Sequence, residues 1–100
     1  MITFVRSAEI MPGQMSAAMA FAGEIKAMVK QINGVELSLL MPVGGNPFMI
    51  MWRTTYDSLA DMDAAQAKLM GDASYMAKLS ETAGLFAPGS IRDQVLRTVG

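Results

Sequence analysis

The sequence predicts one α+β domain of the ferredoxin-like kind, with the element order βαββαβ and a four-stranded antiparallel sheet. Three observations favour this fold: the chain has 100 residues, its hydrophobic spacing switches between helical and strand periods, and turn signals separate the segments. Because 100 residues suit a single domain, we expect residues 1–100 to form one unit. Right-handed crossovers would place both helices on one face of the sheet.

The first half of the chain has the pattern of a strand, a helix and a second strand. β-Branched and aromatic residues fill the start of segment 2–10, and Pro12-Gly13 then signals a turn. Hydrophobic residues recur every three or four positions from Pro12 to Asn33, which predicts an amphipathic helix with Pro12 in its first turn. From 35 to 41 the period falls to two, which predicts the second strand.

The second half begins with a predicted hairpin. Gly44-Gly45-Asn46-Pro47 supplies the turn, and segment 48–56 has the composition of a third strand. A phosphate-binding loop is the alternative interpretation of Gly44-Gly45. It is disfavoured because no Lys-Ser or Lys-Thr follows and no helix begins there.

A second helical region and a last strand complete the predicted order. Asp57 or Ser58 is expected to cap a helix that breaks at Gly71-Asp72, and a further helical segment runs to Gly84. Hydrophobic residues alternate with charges from 91 to 99, which predicts the fourth strand.

Composition excludes several classes of function. Hydrophobic residues make up 52% of the chain and charged residues 17%, so apolar surface exceeds what one small core needs. No apolar stretch is long enough for a membrane span, and Arg6 and Glu9 interrupt any signal-peptide pattern, so we expect a cytoplasmic protein with no membrane partner. A net charge of −1 argues against a nucleic-acid partner.

The chain contains no Cys and no His, which removes thiolate nucleophiles, imidazole bases and zinc sites built on nitrogen or sulfur ligands. Asp61 and Asp63 would point about 200° apart on a helix, so they suit interactions with the helix dipole better than paired acid and base roles. We therefore predict no cofactor and no metal site.

Strand patterning predicts a homodimer. In the third strand Phe48, Ile50 and Trp52 point to one face, while Met49 and Met51 point to the other, so both faces are apolar. A sheet with one solvated face alternates more regularly with polar residues. A second copy packed face to face around a two-fold axis would cover the remaining surface.

Arg6 is the first candidate site residue, because it lies between Phe4 and Ala8 on the more apolar face of its strand. One interpretation is a structural ion pair with Glu9, with Asp93 or with a carboxylate of a partner subunit. The other interpretation is an anchor for a ligand carboxylate or enolate in a pocket.

Aromatic residues supply the other candidates. Trp52, Tyr56 and Arg53 on the third strand would line a cavity beside Arg6, since the first and third strands are neighbours in this topology. Tyr75 from the second helical region is included among the ligand-binding candidates. The alternative is that Trp52 and Tyr75 are core residues and that Arg53 is an exposed or interface charge.

Two segments resemble a known family. Residues 6–13 (RSAEIMPG) resemble the Arg-containing first strand and Pro-Gly turn that open NIPSNAP-like domains of the dimeric α+β barrel superfamily. Residues 56–61 (YDSLAD) resemble that family's strand-to-helix junction, and Asp72 followed by Tyr75 matches a usual Asp and aromatic pair. The resemblance implies a homodimeric barrel of ill-defined function, with cofactor-free monooxygenases among related barrels.

The sequence thus predicts a homodimer that binds a small apolar or aromatic molecule in a cavity lined by aromatic and Arg residues. A first alternative is a cofactor-independent monooxygenase acting on a phenolic or polyketide-like substrate, with Arg6 stabilising an enolate and Tyr56 or Tyr75 bonding to the substrate oxygen. A second alternative is a purely structural interaction module, which predicts a filled interior.

Overall fold

The structure, a computed structural model, describes residues 1–100 and contains four strands and three helices. The elements are β1 (Ile2–Glu9), α1 (Met15–Asn33), β2 (Ser38–Leu40), β3 (Met49–Tyr56), α2 (Leu59–Met70), α3 (Ala73–Ser80) and β4 (Arg92–Arg97). The strands form one antiparallel sheet in the order β2-β3-β1-β4, which confirms the predicted ferredoxin-like α+β fold. None of the helices combines the length and the apolar character that crossing a membrane requires.

Helix α1 begins later than the sequence predicts. Gly13 has φ +80°, a left-handed conformation that a right-handed helix cannot contain, so Pro12-Gly13 forms a turn and the helix starts at Met15. The helix ends as predicted at Gly34, whose φ is +69° and whose N–H donates to the Lys30 carbonyl.

The β2–β3 hairpin is confirmed, although β2 spans only 38–40 of the predicted 35–41. Leu37 is buried in the core without belonging to the ladder, because packing of a side chain does not require pairing of its backbone. Phe48 was predicted to share a face with Ile50 and Trp52. It precedes β3 instead and is 50% exposed.

The second helical region consists of two capped helices. The Ser58 hydroxyl accepts a hydrogen bond from the Asp61 N–H at 3.1 Å, so Ser58 and not Asp57 caps α2. The Asp72 carboxylate accepts from the Tyr75 N–H at 2.8 Å and begins α3 after the predicted break. Helix α3 ends at Ser80, earlier than predicted, and Gly84 adopts φ +85° in the turns that follow.

The two faces of the sheet differ. Ile50, Trp52, Thr54 and Tyr56 of β3 are buried on the face that carries the helices. The intervening β3 residues project from the opposite face, which we call the outer face. Strand β4 is the free edge opposite β2, and all six of its residues are exposed.

A cavity between the sheet and the helices

A cavity of about 280 Å³ lies between the sheet and the helices. Strands β1 and β3 form its floor, and all three helices contribute to its walls. Seventeen residues line it and 13 of them are hydrophobic. The cavity is partly open to solvent, and a concave, mostly apolar lining is the usual character of a small-molecule site.

Three aromatic rings fix one wall of the cavity. Phe86 packs edge to face against Phe21 from α1, with ring centroids 5.9 Å apart, and against Trp52 from β3 at 5.7 Å. Edge-to-face packing gives each ring a preferred orientation, so the Trp52 indole is held from both the sheet and the segment after α3. The wall is therefore preorganised for contact with a flat apolar surface.

Arg6 lies on the β1 part of the floor, opposite Trp52 on β3 and opposite Asp93 on β4. Its Nε–H donates to Asp93 Oδ1 at 2.7 Å and its Nη2–H donates to Oδ2 at 2.9 Å, which is a bidentate pair. These hydrogen bonds raise the pKa of Arg6 and lower the pKa of Asp93, so both groups are charged at neutral pH. The structural ion pair considered for Arg6 thus exists, with Asp93 as the partner.

The same Arg6 side chain lines the cavity, whereas Asp93 does not. The guanidinium carbon also lies 5.6 Å from the centre of the Phe4 ring, within the range of a cation–π contact. The Arg6 side chain therefore pairs with Asp93 on the β4 side and lines the cavity on the Trp52 side.

Tyr75 reaches the cavity from the first turn of α3, where the Asp72 cap fixes its backbone N–H. The residue is 8% exposed, and burial is the main cause that raises the pKa of its phenol. The positive charge of Arg6 acts in the opposite direction on this pKa, and Tyr56 raises it further. At neutral pH the Tyr75 hydroxyl therefore carries its proton and can donate a hydrogen bond.

Two polar atoms in the floor have no hydrogen-bond partner. They are the indole Nε1 of Trp52 and the hydroxyl Oγ1 of Thr54, both buried on β3. A buried donor without an acceptor costs roughly 1–3 kcal/mol. Both residues line the cavity through other atoms, because these two atoms have almost no accessible surface.

Four of the five predicted site residues line this one cavity: Arg6, Trp52, Tyr56 and Tyr75. The placement predicted for Arg53 is wrong. Arg53 is exposed on the outer face, because it directly follows Trp52 and successive strand residues point to opposite faces.

Sequence reasoning missed three polar residues that line the cavity, namely Thr54, Gln66 and Thr82. The sequence was sufficient to place Thr54, since it lies two positions from both Trp52 and Tyr56 and so shares their face of the strand. Gln66 and Thr82 come from α2 and from the turn after α3, and only the packing of these elements brings them to the cavity.

The fold is shared with solved structures of NIPSNAP proteins. A NIPSNAP domain protein from Burkholderia xenovorans superposes with a TM-score of 0.82 at 14% identity, over 99% of this chain and 95% of that one. A NIPSNAP family protein of unknown function from Agrobacterium tumefaciens gives a TM-score of 0.79 at 19% identity, over 96% and 86%. The similarity that the sequence indicated is therefore confirmed for the fold.

A third structural neighbour, from Nitrosomonas europaea, has a name that links it to the antibiotic biosynthesis monooxygenases. It superposes with a TM-score of 0.76 at 13% identity, over 100% of both chains. No protein-family model and no curated protein matches the sequence. Identities this low establish a common fold and transfer no activity.

Proposed function

We propose that this protein is a homodimer that binds a small, largely apolar aromatic molecule in the cavity between its sheet and its helices. The observation that carries the proposal is the cavity itself, with 13 hydrophobic residues among the 17 that line it. A purely structural module would bury the same residues around a filled interior. An open volume of about 280 Å³ lined mostly by hydrophobic residues favours a binding role instead, because concave apolar surfaces with a few polar groups are typical of small-molecule sites.

The shape of the walls suits a planar ligand. The edge-to-face contacts of Phe86 hold the Trp52 indole in place, so a ring entering the cavity meets rigid aromatic surface. The volume of about 280 Å³ lies near the lower end of the 300–1,000 Å³ that is typical of small-molecule pockets, which favours a compact ligand.

Hydrogen-bonding groups in the cavity would fix the orientation of a bound ligand. Arg6 and Tyr75 both offer N–H or O–H donors, and the Trp52 indole N–H is a buried donor without an acceptor. A ligand oxygen that accepts from Arg6 or Tyr75 would fix one end of the ligand in the cavity. The ligand is therefore expected to carry an oxygen substituent at one end of an apolar body.

The test uses Trp52, which is the only tryptophan of the chain. Its fluorescence is followed while a panel of one- and two-ring aromatic compounds is added, and calorimetry supplies the affinities. A saturable change with at least one class of compound is expected. No response from the whole panel contradicts the proposal.

Two variants of α3 provide a matched comparison. Leu79 lines the cavity, so Leu79→Phe adds volume there and should weaken binding at least tenfold. Met76 is 42% exposed and does not line the cavity, so Met76→Phe on the same helix should leave binding unchanged. Equal affinities in the two variants would place the ligand elsewhere.

The homodimer part of the proposal rests on the outer face of the sheet. Apolar side chains from all four strands project from this face, and none of the helices covers it. They are Val5, Leu40, Met49, Met51 and Leu96. Packing this face against a second copy would bury on the order of 800 Å² per subunit, as in a stable interface of standard size.

A cofactor-independent monooxygenase is the second candidate, favoured by the position of donors around the cavity. Arg6, Tyr56 and Tyr75 all line it, so a phenolic oxygen bound there would have a cation and hydroxyl groups beside it. Consumption of dissolved oxygen with a panel of phenolic and polyketide-like compounds tests this candidate. Binding without oxygen uptake supports the binding protein over the oxygenase.

A further inference from the structure

The ion pair between Arg6 and Asp93 has a consequence for the charge of the ligand, provided that the proposed binding function holds. We propose that Asp93 is a specificity-determining residue: by balancing the charge of Arg6 from outside the cavity, it makes the site select uncharged aromatic molecules with an acceptor oxygen over aromatic carboxylates.

The first step is the geometry of the pair. The Asp93 carboxylate accepts hydrogen bonds from the Nε–H of Arg6 at 2.7 Å and from one Nη2–H at 2.9 Å. A guanidinium has five N–H donors in a fixed plane, so this arrangement leaves other N–H groups for a second acceptor. Arg6 can therefore donate to a ligand while it remains paired.

The second step is the position of Asp93 relative to Arg6 and the cavity. The three residues Trp52, Arg6 and Asp93 lie in one cross-strand row on adjacent strands, with Arg6 in the middle. Arg6 and Trp52 line the cavity and Asp93 does not. The carboxylate thus sits on the far side of the guanidinium, where it cancels charge without occupying ligand space.

The third step is electrostatic. With Asp93 in place the Arg6–Asp93 unit has no net charge, and no other Lys, Arg, Asp or Glu side chain lines the cavity. A carboxylate ligand would bring a net negative charge into mostly apolar surroundings, and unpaired charges are costly to bury. A carbonyl, amide or phenol oxygen accepts a hydrogen bond from Arg6 without that cost.

Displacement of Asp93 by a ligand carboxylate is the competing arrangement. It would exchange one bidentate carboxylate pair for another and leave Asp93 without its partner on the edge strand. The side chains of Arg6 and Asp93 are 39% and 42% exposed, so water would offset part of this loss. The exchange therefore gains no ion pair, whereas a neutral ligand keeps the existing one.

The experiment compares matched amides and carboxylates of the same ring: benzamide with benzoate, and 2-naphthamide with 2-naphthoate. Affinities are measured at neutral pH for the natural protein, for Asp93→Asn, and for Asp63→Asn, which makes the same charge change at an exposed residue of α2. The natural protein and Asp63→Asn should bind each amide at least tenfold more tightly than its carboxylate. Asp93→Asn frees the charge of Arg6, so it should tighten carboxylate binding about tenfold and remove or reverse the preference.

A further variant, Asp93→Glu, keeps the charge and should retain the preference for amides. The ratio of amide to carboxylate affinity is the decisive quantity, because a general loss of structure would weaken both ligands together. An unchanged ratio in Asp93→Asn, or tighter binding of carboxylates by the natural protein, overturns the role of Asp93 while leaving the binding function intact. Failure of both members of every pair to bind any variant overturns the proposed function and this inference with it.

Discussion

At the scale of single residues, Arg6 connects the edge of the sheet to the cavity. Asp93 binds it from β4, Phe4 lies beneath its guanidinium, and Trp52 is its neighbour on β3. The Arg6–Asp93 pair is partly exposed, so solvent screening limits its contribution to stability to about 1 kcal/mol or less. We therefore expect changes to the pair to have only a small effect on folding.

The pair makes stability depend on pH in the acidic range. The hydrogen bonds from Arg6 lower the pKa of Asp93 in the folded state below the ordinary value of about 3.9. A lowered carboxyl pKa contributes stability that is present above about pH 4 and is lost as the pH falls through the folded-state pKa. Urea unfolding at one fixed protein concentration should therefore show a stability gap between the natural protein and Asp93→Asn at neutral pH that narrows at an acidic pH below about 4. A gap that is the same at both pH values would show that ionisation of Asp93 contributes nothing.

Tyr75 makes the opposite contribution at high pH. Burial raises its folded-state pKa above the ordinary value of about 10, so it contributes stability below that pH and loses it as the pH rises through the folded-state pKa. Subtracting the phenolate absorbance curve of Tyr75→Phe from that of the natural protein isolates this residue. The difference curve should have its midpoint above that of free tyrosine, with circular dichroism confirming that the fold persists. A midpoint at or below the free value would mean that the phenol is not buried as described.

The residues of the cavity were predictable to the extent that strand geometry determines them. Arg6, Trp52 and Tyr56 share a face because β1 and β3 are neighbours and side chains alternate along each strand. The same alternation excludes Arg53, and applying it strictly would have corrected that prediction. The partner of Arg6 was left open among several carboxylates, because the register of β4 against β1 cannot be read from the sequence of either strand.

At the scale of elements, helix caps fix how the second helical region meets the cavity. Asp72 bonds to the N–H of Tyr75 at 2.8 Å, so the start of α3 and a residue of the cavity wall are positioned together. Ser58 makes the corresponding bond at the start of α2, away from the cavity lining. The two caps have the same structural role, but only the Asp72 cap bonds to a residue that lines the cavity.

Asp72→Ala and Ser58→Ala should each lower the free energy of unfolding by about 1 kcal/mol, the usual cost of a lost cap. Only Asp72→Ala should also weaken ligand binding, because only that cap holds a residue of the cavity. Urea unfolding and Trp52 fluorescence titration measure the two effects. Equal losses of affinity in both variants would show that Asp72 acts through overall stability alone.

The sequence predicted the type of each element more accurately than it predicted the residues at which each element begins and ends. Composition, hydrophobic period and turn or cap signals together identified every strand and helix, but β2 is shorter than its alternating pattern because Leu37 packs into the core outside the ladder. Helix α1 starts after Pro12-Gly13 because Gly13 takes a left-handed conformation. The sequence suggested an earlier start, because Pro is common in the first turn of a helix. Ends are set by backbone pairing and turn geometry, which the period of the side chains does not specify.

At the scale of the whole molecule, the outer face of the sheet sets the expected assembly. Light scattering at micromolar concentration should give about twice the chain mass of 10.7 kDa for the natural protein. Met51→Glu places an unpaired charge in the expected contact and should give the mass of one chain. Met76→Glu introduces the same charge on the exposed side of α3 and should remain dimeric. A natural protein with the mass of one chain would show that the outer face is not an interface.

The binding of a ligand in the cavity is tested most directly by nuclear magnetic resonance of Trp52. The chain has one tryptophan, so its indole N–H gives a single resonance from a buried donor that has no partner within the protein. Titration with neutral aromatic amides and phenols should shift this resonance saturably, together with the Arg6 side-chain N–H and the backbone N–H of Tyr75. Shifts confined to residues of the outer face, or a Trp52 indole resonance that stays fixed throughout the panel, would contradict the assignment of the cavity as the binding site.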